Sequence, residues 1–158
     1  MTSYAAAPAA PPTPPYLAPA AEPYTEVQQF YAQQVELLDD LRADAFAATF
    51  TENGLFSASP VRPVVAGRAA IAAALRAAHS KRFGDGQVRR RHWFNMLQVH
   101  EQPDGLLRTR YYMLVWVTRP WNPVPEPGPS CVVEDVLVRE DGRLLTRERR
   151  ITPDHLSF

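Results

Sequence analysis

SCVVEDVLVREDGRLLTRERRIT, residues 130–152, reads as two strands that meet at Asp141-Gly142. Asp-Gly between alternating runs is a strong short-range hairpin signal, because both residues tolerate the positive φ that a two-residue turn demands. Ser130 to Glu140 and Arg143 to Thr152 are therefore expected to pair. Upstream, Val88 to His100 has the same period-two pattern, and Pro103-Asp104-Gly105 turns it into Leu106 to Thr118. Between these hairpins, Arg119 to Pro129 holds five prolines, each without a ladder donor, and is expected to be a loop or lid.

Helical periodicity is confined to the first half. Thr25-Glu26-Val27-Gln28 has the form of a capping box, followed by Val27, Phe30, Tyr31, Val35 and Leu38 at helical spacing up to Asp39-Asp40. A short second helix carries Ala43, Phe46, Ala47 and Phe50 and is closed by Asn53-Gly54. Two short strands, Leu55 to Ala58 and Val61 to Val65, are expected at a sheet edge because of Pro60 and Pro63. A third helix runs from about Arg68 to His79, burying Ile71, Ala74, Leu75 and Ala78. Helices first and long antiparallel strands afterwards is the α+β ordering, not alternating βαβ.

Residues 1–23 read differently, since seven prolines fall between Pro8 and Pro23 among alanines. That composition gives a disordered Pro/Ala-rich leader, and a single domain is expected over 24–158. Lys plus Arg equals Asp plus Glu at 17 each, which argues against sequence-independent binding to nucleic acid or an anionic membrane. Arg89-Arg90-Arg91 does not alter this, because strand side chains alternate between opposite faces. Cys131 is the only cysteine, which excludes an intramolecular disulfide and any Cys-cluster metal site. With no signal peptide or membrane-length apolar run visible, the expected location is the cytoplasm. Phosphate-loop, dinucleotide-binding, serine-elbow and zincin motifs are all missing, so the expectation is no cofactor and no metal.

Several phrases in order, Phe-Tyr-Ala-Gln-Gln, Leu-Leu-Asp-Asp, Gly-Arg-Ala-Ala-Ile, Arg-Arg-His-Trp and Arg-Glu-Arg-Arg-Ile-Thr, resemble the NTF2-like superfamily over roughly residues 24–154. Within it Phe-Tyr-Ala-Gln-Gln, Gly-Arg-Ala-Ala-Ile and Arg-Glu-Arg-Arg-Ile-Thr look most similar to the SnoaL-like proteins of actinobacterial aromatic polyketide tailoring, whereas Leu37-Leu38-Asp39-Asp40 and Arg91-His92-Trp93 resemble the β-subunit of ring-hydroxylating dioxygenases. The resemblance implies an NTF2-like cone, with N-terminal helices packed on a curved, mostly antiparallel sheet around a pocket. It also implies a homodimer across the outer sheet face. The implied activity is cofactor-free cyclisation, dehydration or assisted hydroxylation of a small aromatic or polyketide ligand. The alternative is a non-catalytic assembly subunit, resembling the β-subunit of a ring-hydroxylating dioxygenase, with an oxygenase as partner.

By position, the resemblance to scytalone dehydratase makes Asp39 and His92 the catalytic candidates; the second histidine of that enzyme has no counterpart on the strand from Leu106 to Thr118. An Asp at the mouth of an apolar cone would be partly desolvated and able to exchange protons near neutral pH, while Asp39 or Asp40 could equally cap the next helix. Alternation groups Arg90, His92, Phe94 and Met96 on one strand face. Binding candidates are Asp40, Tyr31, Phe94 and Arg149, with Tyr112 and Trp116 as aromatic walls on a common face. His79, His100 and His155 are expected to face solvent.

Overall fold

A computed structural model describes residues 21–84 and 86–156. Residues 1–20 of the expected leader lie outside them. Helix α1 spans Ala21–Asp39 and so begins a turn before the capping box. Pro23 falls in its first turn, where a missing N–H costs no hydrogen bond. Then come α2 (Ala43–Ala47), strands β1 (Phe50–Ser57) and β2 (Val65–Ala66), α3 (Arg68–Phe83), and strands β3 (Arg89–Glu101), β4 (Leu107–Arg119), β5 (Asn122–Glu140) and β6 (Arg143–Pro153). A 3-10 turn, Asp154–Leu156, ends the described chain. The six strands form one sheet in the order β2-β1-β6-β5-β4-β3, antiparallel throughout except for the β1–β6 pair. The expected α+β cone is the observed architecture.

The β5–β6 hairpin turns as expected, with Glu140 opposite Arg143 and both Asp141 and Gly142 at positive φ. Phe50 to Gly54, expected at a helix end, instead starts β1. Its parallel register with β6 shifts between Phe50 and Leu55. Gly54 is required in that irregular stretch, since a Cβ there would lie 2.9 Å from the Phe50 Cβ.

The proline-rich connection is a second correction, because it pairs with β4, Pro127 lying opposite Trp116 and Glu126 opposite Val117. The reason is a period of two. Pro123, Pro125, Pro127 and Pro129 are spaced by two, and in a strand residues at that spacing direct their backbone groups to the same edge, leaving Val124, Glu126 and Gly128 to supply donors to the other. Among the described residues the other edge of this stretch has no strand neighbour, since β6 joins β5 only from the Cys131–Pro153 pair onward.

The core has two parts. Val27 and Tyr31 of α1 pack with Leu107, Tyr111, Val133 and Leu137 on the inner sheet face. Phe46, Phe50, Phe56 and Ile71 form the second part under α2 and α3, and Ile151 touches both. Among the described residues no helix is long and apolar enough to cross a membrane.

Candidate active site

Asp39 is the last residue of α1, and β3, against which its carboxylate docks, is an edge strand of the sheet. Edge strands leave alternate N–H groups unpaired. The His92 N–H meets both carboxylate oxygens of Asp39 at 3.2 Å, and His92 Nδ1 donates to Asp39 Oδ1 at 2.5 Å. The two side chains are only 7% and 10% exposed, so they hold each other largely out of water. An imidazole that gives its Nδ1 proton to a carboxylate keeps Nε2 free as an acceptor.

His92 also lines an internal cavity of about 200 Å³. Phe46, Phe56, Met113, Val133 and Ile151 are among its apolar lining residues, and His79, Arg82, Arg90 and Arg149 line it together with His92. An outer cleft of about 570 Å³, bordered by Asp39, Asp40, Arg89 and Thr118, adjoins it. His79 and Arg90 border both spaces.

Arg90 donates to the Leu38 carbonyl at 2.5 Å, which ties β3 to the end of α1 a second time. Burial lowers the pKa of its guanidinium against an opposing pull from Asp39. The His79 pKa is also lowered, by burial and then by the charge of Arg90. His79 Nδ1 is shielded from solvent and has no hydrogen-bond partner among the described residues.

Arg149 reaches the cavity wall from a buried polar network. Its Nε donates to Asp135 Oδ1 at 2.9 Å, and one terminal nitrogen donates to Asp135 Oδ2 at 2.6 Å and to Gln34 Oε1 at 2.5 Å. Tyr31 donates to Asp135 Oδ2 at 2.7 Å and meets Thr109 Oγ1 at 2.5 Å. Burial works against the Arg149 charge, but Asp135 outweighs it and raises the pKa. Burial first, then Asp135, pushes the Tyr31 phenol well above its ordinary value. This network braces α1 against β4, β5 and β6.

The structure therefore brings Asp39, His92 and Arg149 to the cavity and its rim, and separates the other candidates from it. Asp40 lies in the outer cleft, 3.6 Å from Arg89. Tyr31 and Phe94 face inward but are spent on the core, stacked edge to face at 5.8 Å beside Tyr111. Tyr112 and Trp116 share a face as expected, but it is the outer one; Tyr112 is 49% exposed. On β4 the odd residues Leu107, Thr109, Tyr111, Met113 and Val117 are buried, so the even ones must point outward. Met96 leaves the face of His92 because a bulge with φ of 56° intervenes, and it is exposed.

His79, expected in solvent, and Arg82 were missed as lining residues. The available signal was helical spacing, since positions 75, 79 and 82 continue the buried stripe of Ile71 along α3. Among the described residues, no group of three or more His, Cys, Asp or Glu could hold a metal ion.

A family model described as a SnoaL-like domain matches residues 19–150. Among solved structures, ActVI-ORFA from Streptomyces coelicolor is 42% identical with a TM-score of 0.80, the match covering 85% of this chain and 99% of that one. Aln2, from another Streptomyces strain, is 40% identical with a TM-score of 0.81, covering 88% and 96%. A protein from Catenulispora acidiphila, solved in complex with S-DNPA, is 41% identical with a TM-score of 0.78, covering 87% and 98%. No curated protein sequence matches the chain.

Proposed function

The chain belongs to the SnoaL-like family, and from that membership we propose that it is a cofactor-free tailoring enzyme of aromatic polyketide biosynthesis. It would bind a small polycyclic intermediate in the cone and move a proton on it, leading to cyclisation, dehydration or assisted hydroxylation. The observation that carries this reading is the 2.5 Å contact between Asp39 and His92 beside an apolar cavity. The S-DNPA complex of the Catenulispora protein supports a small-molecule ligand.

The geometry favours a division of labour that differs from a simple Asp base. Asp39 borders the outer cleft, and its oxygens are engaged by His92. It is the positioning residue; it fixes the ring and stabilises the imidazolium once formed. His92 Nε2 is the base, taking a proton from a carbon next to a ligand carbonyl, or from a phenol, and returning it to carbon or to a departing hydroxyl. The apolar wall holds the rings in one geometry, which removes part of the entropic barrier. The working unit is proposed to be a homodimer through the outer face of β3 and β4.

Two experiments test this together. Calorimetric titration with S-DNPA should show saturable binding. Hydrogen–deuterium exchange at C2 of 1-tetralone, an enolisable bicyclic ketone, followed by NMR in D₂O, should be accelerated. His92→Gln should lose this acceleration, and Asp39→Asn should lower it by about 10²-fold or more, the scale of a positioned acid–base group. No binding and no exchange above buffer would overturn the proposal.

A further inference from the structure

Two imidazoles line the cavity, and they come from different layers of the fold, His92 from β3 and His79 from α3. Removing a proton from a carbon next to a carbonyl calls for two groups, since the electron pair left behind moves to the carbonyl oxygen and must be stabilised there. His92 supplies the first, with its Nδ1 proton held by Asp39 and Nε2 left as an acceptor. The second is a hydrogen-bond donor that faces the same space.

The ring nitrogens of His79 sit in unlike surroundings. Nδ1 is out of reach of water and has no partner among the described residues, whereas Nε2 is not shut in this way. A buried N–H without an acceptor is rarer in native interiors than an acceptor without a donor, so the proton belongs on Nε2, where water or a ligand oxygen can accept it. Phe83, one turn further along α3, packs against the ring at 5.1 Å between centroids and holds its orientation. Burial, and then the charge of Arg90, lower the His79 pKa, which keeps the ring neutral at pH 7. The two tautomers are complementary: His92 turns a lone pair outward at Nε2, and His79 turns a proton outward at Nε2.

We propose that His79 is a second catalytic residue, the electrophile whose Nε2–H donates to the carbonyl oxygen of a ligand in the cavity while His92 Nε2 removes a proton from the adjacent carbon. The C–H bond breaks and its proton passes to His92. The bonding pair becomes the C=C bond of an enolate, and the carbonyl π pair settles on oxygen, against the His79 N–H. Return of the proton from His92 to carbon reverses the step, and no co-reactant is consumed. A neutral imidazole suits this duty, because its hydrogen bond strengthens as charge develops on the oxygen and is not spent on binding an anion beforehand. The role depends on the proposed base at His92 and names the partner with which that base works.

Two measurements test this. Long-range ¹H–¹⁵N correlation NMR of the histidine-labelled protein at pH 7, with signals assigned through His79→Phe and His92→Gln, should show His79 neutral with its proton on Nε2 and His92 with a proton on Nδ1. In the deuterium-exchange assay with 1-tetralone, His79→Phe should lower kcat about 10²–10³-fold, the cost of losing one oxyanion donor, and change KM little. His79→Gln, whose side-chain amide keeps an N–H at a comparable reach, should recover part of that loss. Retained calorimetric binding of S-DNPA by His79→Phe separates lost chemistry from lost folding, and the wild-type spectrum is read independently of either variant's stability. Exchange by His79→Phe at the wild-type rate, or a His79 ring that is charged or carries its proton on Nδ1 alone at pH 7, would overturn the electrophile and leave the base at His92 standing. A wild type that gives no exchange above buffer would remove both.

Discussion

Asp135 and Arg149 are nearly inaccessible; they satisfy each other, with Tyr31 donating to Asp135 and Gln34 accepting from Arg149. Removing one charge strands the other in a low-dielectric interior. Asp135→Asn should therefore lose about 3–5 kcal/mol in urea denaturation, while Tyr31→Phe should lose only about 1–2 kcal/mol. Cys131 lines the cavity, and its thiol is pushed up to about 11, by burial first and then by Asp154. Below that value the thiol keeps its proton, so iodoacetamide alkylation should be negligible at pH 8 and rise about tenfold per pH unit up to it. A ligand in the cavity should slow the reaction further. At this scale the sequence was informative about residue type and weak about direction. Asp39 and His92 were findable because a family pattern names them, whereas Tyr112 and Trp116 were correctly paired but placed inward. Alternation tells which side chains share a face and is silent on which face meets the helices. Arg149 was visible only as one charge in a basic run, since its partner Asp135 comes from another strand and its neighbour Gln34 from α1.

The hairpins were legible because turn chemistry and period-two alternation agree, and the structure places their ends within a residue or two of those expected, except that β5 starts at Asn122 and not at Ser130. The proline-rich half of β5 was not, because counting prolines ignores their parity. Four prolines at a spacing of two cost the ladder nothing when the deprived edge has no neighbour. Pro127→Ala should accordingly leave the melting temperature nearly unchanged. Gly128→Val should destabilise markedly, since a Cβ there would sit 2.9 Å from the Val115 carbonyl oxygen and force β4 and β5 apart. Thermal melts of the two variants check this directly. For β1, the helical spacing of Phe46, Ala47 and Phe50 masked a strand whose pairing partner, β6, lies far downstream in the chain. Local sequence cannot report a parallel partner at that distance.

For the whole molecule, the outer face of β3 and β4 presents Trp93 at 67% exposure, Tyr112 at 49% and Leu114 at 48%, with Trp93 directly opposite Leu114. Such a patch is what the proposed dimer would cover. Light scattering coupled to size exclusion should report twice the chain mass for the wild type, and the monomer mass for Leu114→Glu; a wild-type monomer would remove the dimer from the proposal. The clasp between α1 and the edge of β3 links durability to chemistry. The carboxylate that closes an unpaired strand edge is the same one that aims the imidazole, and the neighbouring Arg90 bond to Leu38 secures the same corner. Fraying of the last turn of α1 would then disarm the base while the rest of the sheet stays intact, because helix ends open locally at lower cost than a whole domain. On gradual heating, catalysis of tetralone exchange should fade several degrees before the circular dichroism signal of the strands, and recover fully on cooling from within that interval.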